Sequence, residues 1–293
     1  MPFYPSSPAA SKSGFLIDGS VAKKDLSIEF FAEEENCHIS APTTFIKAVN
    51  YNSQVYLISK NTNRVYRFNG GTFVDDSDIY IPQSPSLACS VFATDDMFVY
   101  TNSNDSLTTS FYYQGNITDY KWVKGPDIDY FFQSALAYYK GVFHAFGGGS
   151  VDDSNGTAHS TFKIGDSKWT REEDLPFSCW HSITLVNDLL YFLGSTGIWV
   201  FDGAEYRSLG ELPFEMTITV SSIAVYDKIL CVGTDGTLNI FDTTTETWSQ
   251  VSDFSKELST SYSGRLFRYN NGIFSLGDSS DIYKVCRYGY KEV

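Results

Sequence analysis

Short apolar runs recur along the chain in pairs, each pair joined by a few polar residues. Six such pairs are present: Phe45–Ser59, Cys89–Thr101, Ser134–Gly149, His181–Ser195, Ser222–Thr234 and Arg265–Asp278. Their connections are alike, namely Asn50–Ser53, Thr94–Asp96, Tyr139–Gly141, Asn187-Asp188, Asp227-Lys228 and Asn270–Gly272. Polar pairs between strand-sized apolar runs predict tight β-hairpins.

A second, weaker pair of strands follows each hairpin and ends on an aromatic residue. In the fifth copy it reads Ile240–Val251, with Trp248 near its end, and in the third it runs Thr161–Trp169. The closing aromatics are Phe73, Trp122, Trp169, Tyr206, Trp248 and Tyr290, spaced 37 residues apart at the shortest (Trp169 to Tyr206) and 49 at the longest (Phe73 to Trp122). A self-similar period of this length marks the four-stranded blade of a β-propeller. Six inner hairpins predict six blades. Two outer pairs are then left for one blade, because both Phe15–Phe31 and Tyr283–Val293 resemble outer strands. The N-terminal segment is therefore expected to supply one strand or more beside the C-terminal strands of the last blade, which removes an exposed sheet edge. The expected fold is all-β: a six-bladed propeller over residues 14–293, preceded by a polar arm over residues 1–13.

The order strand, turn, strand, glycine, aromatic, turn, tryptophan resembles the kelch repeat. The glycine pair of that family stands intact in Gly147-Gly148-Gly149 and has decayed to Gly194-Ser195, Gly233-Thr234 and Gly277-Asp278 elsewhere. Phe241-Asp242 and Trp248 keep the family's spacing of seven. The resemblance implies that loops joining successive blades share one face with loops joining the second and third strands, and that partners bind there. It also implies protein recognition as the commonest role, with sugar binding or sugar isomerisation as a second use of the scaffold.

Charge narrows the partners. The chain has 293 residues, 42% of them hydrophobic and 16% aromatic, and a formal net charge of −14. Phosphate backbones and anionic membranes require basic stripes, but the densest basic spot, Lys23-Lys24, is followed at once by Asp25. Nucleic-acid and membrane partners are not expected. Neither a secretory leader nor a membrane-length apolar run is read in the sequence, so a soluble cytoplasmic protein is expected. The three glycosylation-like sequons at Asn104, Asn116 and Asn155 are read as chance matches. The five cysteines are scattered without CxxC spacing and are expected to be buried thiols.

Candidate partner-binding residues lie on the predicted loop face. Tyr130, Phe131 and Phe132 fall in one interblade loop, Phe177, Trp180 and His181 in the next, and Phe214 and Met216 in the one after. Aromatics in loops either pack beneath them or form an interface patch. The long second-to-third-strand loop of blade three, Gly147–Ser160, carries Asp152, Asp153 and Asn155 near its tip, and such tips on rigid scaffolds often recognise partners. Signatures of catalysis are not found: the segment Val151–Gly156 departs from a calcium loop at its first position, the histidines lack metal-site spacing, His144 reads as a core histidine, and no nucleophile elbow or phosphate loop is present. No catalytic, metal or cofactor site is expected. The expected function is a non-enzymatic protein-interaction or structural scaffold for a partner with a basic or apolar surface. A sugar-binding or sugar-isomerising propeller, and a structural or attachment protein of a viral particle, are the alternatives.

Overall fold

A computed structural model describes residues 26–32, 38–51, 54–60, 62–82, 89–94, 97–103, 108–114, 121–129, 134–148, 156–180, 183–194, 196–215, 222–233, 237–251, 266–277 and 281–292. Six antiparallel sheets form the blades of a propeller. Blade one contains Phe45–Tyr51, Gln54–Ser59, Arg64–Phe68 and Phe73–Tyr80, in that order from the inner strand outward. Blade three contains Ala135–Tyr139, Val142–Phe146, His159–Phe162 and Thr170–Arg171. Blade four contains Ile183–Val186, Leu189–Gly194, Gly197–Phe201 and Tyr206–Gly210, and blade five contains Ser222–Val225, Lys228–Val232, Leu238–Asp242 and Thr247–Gln250. In blade two, Ser90–Ala93, Phe98–Ser103 and Thr108–Gln114 are followed by an outer edge in two pieces, Val123–Lys124 and Ile128–Asp129, both paired with the third strand. The segment read as an interblade loop from Gly125 onward thus begins with a strand.

The last blade is closed by both ends of the chain. Its inner strands are Leu266–Tyr269 and Gly272–Leu276, and its third is a single strand, Asp281–Glu292. The fourth comes from Leu26–Ala32, paired from Leu26 opposite Glu292 to Ala32 opposite Cys286. His38–Ser40 continues the cover, with His38 opposite Tyr283 and Ser40 opposite Asp281. The expected second strand pair within Tyr283–Val293 is therefore replaced by one long strand. Tyr290, read as a closing aromatic, sits in that third strand opposite Ile28. The predicted arm over residues 1–13 lies outside the described residues.

The inner hairpins turn where sequence placed them, with one shift. Lys140 and Gly141 (φ 49° and 81°) and Asn187 and Asp188 (φ 48° and 61°) have both central residues left-handed, which matches the twist of the strands they join. In blade five the turn falls on Tyr226-Asp227, and Lys228 already pairs with Val225, one residue before the position expected from Asp227-Lys228. Tyr226 takes the left-handed conformation (φ 57°) that polar residues usually supply.

The core is divided by blade interface. Six clusters of buried side chains occur among the described residues, one between each neighbouring pair of blades. Each blade has apolar residues on both faces because each face meets a neighbour. The cluster between blades six and one joins the first and last repeats: the Phe68 ring lies edge-on to Phe267 and Phe274 at 5.2 and 5.3 Å. The side-chain amide of Asn50 adds a polar staple there, donating to Arg268 O (2.7 Å) and accepting from Arg268 N (3.3 Å).

Candidate functional site

All six inner strands run from an interblade loop to a tight turn, so the interblade loops and the second-to-third-strand loops share one end of the ring. At that end, blades three and four are tied together by backbone hydrogen bonds. Gly147 N donates to Ala158 O (2.6 Å), Leu175 N to Thr157 O (2.7 Å), Gly148 N to Cys179 O (2.9 Å) and Cys179 N to Gly156 O (2.9 Å). Both stems of the long blade-three loop are thus fixed to the interblade segment 174–180. Gly147 is required by this approach: it has φ 63°, and a Cβ on it would lie 1.8 Å from Cys179 O. The glycine pair that the kelch resemblance singles out therefore serves a backbone-to-backbone contact.

The candidate residues are placed differently from one another. Trp180 is half-buried at the base of the long loop, where its indole N–H donates to Ser178 Oγ (2.9 Å) and its ring lies against Gly156. Phe177 is buried, stacked on Trp199 at 4.9 Å and packed on Phe192. Phe214 lies edge-on to Trp248 at 5.1 Å and joins the cluster between blades four and five. Phe177 and Phe214 therefore pack beneath their loops. Tyr130, Phe131, Phe132, His181, Met216, Asp152, Asp153 and Asn155 lie outside the described residues.

The loop face opens into the central channel, a space of about 200 Å³ lined by the inner strands of blades one, two, four, five and six. Its polar lining includes Lys47, Ser90, Thr184 and Ser222, with Thr184 and Ser222 hydroxyls 2.8 Å apart across two blades. Lys47 is 4% exposed. Sequence reasoning passed over it, although a lysine inside Phe45-Ile46-Lys47-Ala48-Val49 is a legible anomaly in an inner strand.

A second buried polar feature lies between blades three and four. His144 Nδ1 is 3.1 Å from His159 Nε2, and His159 Nδ1 is 3.2 Å from the Tyr206 hydroxyl. Both rings stack on Phe146. Burial, reinforced by His159, lowers the His144 pKa to about 3, and burial, reinforced by Arg171, lowers that of His159 to about 4. Both rings are neutral at pH 7, and the row of three is a satisfied core network, as expected for His144. Burial also raises the thiols of Cys89 and Cys179 to about 11 and about 12, and that of Cys231 further. They are thiols rather than thiolate nucleophiles at neutral pH. Among the described residues, no cluster of His, Cys, Asp and Glu is arranged to hold a metal ion, and no helix is long and apolar enough to cross a membrane.

No protein-family model matches the chain, and no curated protein matches it. Solved structures do. One, described as the structure of YjhT, has a TM-score of 0.50 and 15% identity, covering 61% of this chain and 69% of that one. Another, YCF48 bound to D1 peptide, has a TM-score of 0.51 and 15% identity, covering 89% of this chain and 97% of that one. Likeness at this identity concerns the fold: this chain is a β-propeller.

Proposed function

We propose that this propeller is a non-enzymatic protein-interaction scaffold that engages its partner through the loop face at blades three and four. The observation that supports it is the anchoring of the long blade-three loop: four backbone hydrogen bonds hold its stems and segment 174–180 as one platform, with Trp180 at its base. A loop with fixed stems loses less conformational entropy on binding than a free one, and rigid scaffolds that present loops are a common basis for recognition. One of the solved propellers similar in fold is bound to a peptide. With a formal charge of −14 on this chain, complementarity favours a basic or apolar partner surface.

The test uses the purified chain as bait in lysate of its own source, beside two variants. One carries Trp180→Ala, Asp152→Ser and Asp153→Ser on the loop face. The other carries Ile164→Ser, at an exposed position in the turn between the third and fourth strands of blade three, at the opposite end. A partner kept by the parent and by the Ile164 variant, and lost by the folded loop-face variant, is the expected result. Capture that ignores the loop-face substitutions, or is lost with Ile164→Ser, overturns the assignment of the face.

A further inference from the structure

The channel holds a nearly buried cation that the scaffold role does not use. Lys47 is the one charged residue among those lining the channel, and no carboxylate is among them. The neighbouring titratable group is the Cys89 thiol, held neutral by burial with a pKa of about 11, so it supplies no counter-charge at pH 7. Lys47 has a contact of its own within the protein; what matters is the space beside it. The hydroxyls of Ser90 and Ser222 line the same space and can donate to an acceptor there. Lys47, Ser90 and Ser222 all lie toward the beginning of their inner strands, which places the polar part of the channel nearest the loop face. Val91, Ile223 and Leu266 add apolar surface.

We propose that the central channel is a binding site for a small carboxylate with a short hydrocarbon stem, its head group on the Lys47 ammonium and the Ser90 and Ser222 hydroxyls and its stem against Val91, Ile223 and Leu266. A buried ammonium is stabilised by an anion with further hydrogen bonds to it. One lining cation matches a monoanion, whereas a dianionic phosphate would carry an uncompensated charge into a confined space. A volume of about 200 Å³ holds several waters at roughly 30 Å³ each, enough for a carboxylate with a few carbons. The site is independent of the loop-face reading, because it lies on the inner strands and requires no protein partner.

The test follows the Lys47 side-chain signal by NMR in the full chain labelled with 13C-lysine and assigned with Lys47→Arg. Acetate, propionate, butyrate and, as a control, chloride at matched ionic strength are titrated in. The expected result is a saturable shift with the carboxylates that is absent with chloride. Affinity should rise about fourfold for each added CH2 up to the limit of the channel. Ser222→Ala should weaken binding about tenfold while leaving the fold intact, which the spectrum of the other lysines reports. No saturable shift with any carboxylate overturns the proposal. So does a shift of the same size with chloride, or affinity unchanged in Ser222→Ala combined with Ser90→Ala. A peptide amide carrying one glutamate forms a second arm: competition with butyrate shows that the carboxylate can arrive on a protein chain, and its failure to compete assigns the site to free small acids.

Discussion

Residues in this propeller do chemistry mainly by being kept from it. His144, His159 and Tyr206 form a hydrogen-bonded row in the core, and its cost appears on acidification. Below about pH 6.5 the unfolded chain protonates these histidines, while the folded chain resists until about 4 and about 3. The stability they contribute is therefore complete above pH 6.5 and is lost as pH falls toward 3. Each histidine contributes a slope of at most about 1.4 kcal/mol per pH unit in that window. Urea unfolding between pH 7.5 and 4.5 should show a steeper loss for the parent than for His144→Gln combined with His159→Gln; equal slopes would contradict neutral burial of the pair. At this scale the sequence was partly legible. His144 in an alternating strand reads as core, but its partner does not, because His159 looks like the end of a polar loop and only the pairing of Phe146 with His159 brings the rings together. Phe177 and Phe214 show the opposite limit: an aromatic in a loop segment has the same local pattern whether it faces solvent or the next blade, and its neighbours are distant in sequence.

Elements are joined by side chains reaching back to the preceding blade. The Trp122 indole N–H donates to Tyr80 O (2.6 Å), Trp169 donates to Pro126 O (3.0 Å), Tyr206 meets His159 and Trp248 meets Phe214. A closing aromatic on each of these blades thus contacts the blade before it, which explains why aromatics recur at the repeat period. Trp169 also packs edge-on to Phe111 at 5.1 Å. Trp169→Ala should cost about 3 kcal/mol, and Trp169→Phe about 1 kcal/mol through the lost hydrogen bond. Chemical denaturation followed by circular dichroism measures both, and near-equal stabilities would contradict the coupling of blades two and three. The six hairpins were legible because an inner strand buried on both faces is a continuous apolar run bounded by polar turns. The outer strands were less so. Being short and solvent-facing, they carry little pattern, and the split edge of blade two and the single long third strand of blade six depend on pairing rather than composition.

At the scale of the whole molecule, closure orders the loop face. Blade six takes its fourth strand from Leu26–Ala32, and the cluster between blades six and one joins the first and last repeats, so the ring has no terminal repeat to fray. The sequence conveyed this closure through its surplus of outer strands at the two ends. A closed ring fixes the angles between blades and hence the positions of loops from different blades, which allows one face to act as a recognition surface. That claim is tested most directly by amide hydrogen exchange on the chain alone and in complex with its captured partner. Protection should concentrate at the loop-face segments 147–158 and 174–180, with the turns at Lys140-Gly141, Asn187-Asp188 and Asp202–Glu205 unchanged. Protection confined to those turns or to the outer strands, with the loop face exchanging as in the free protein, would contradict the account.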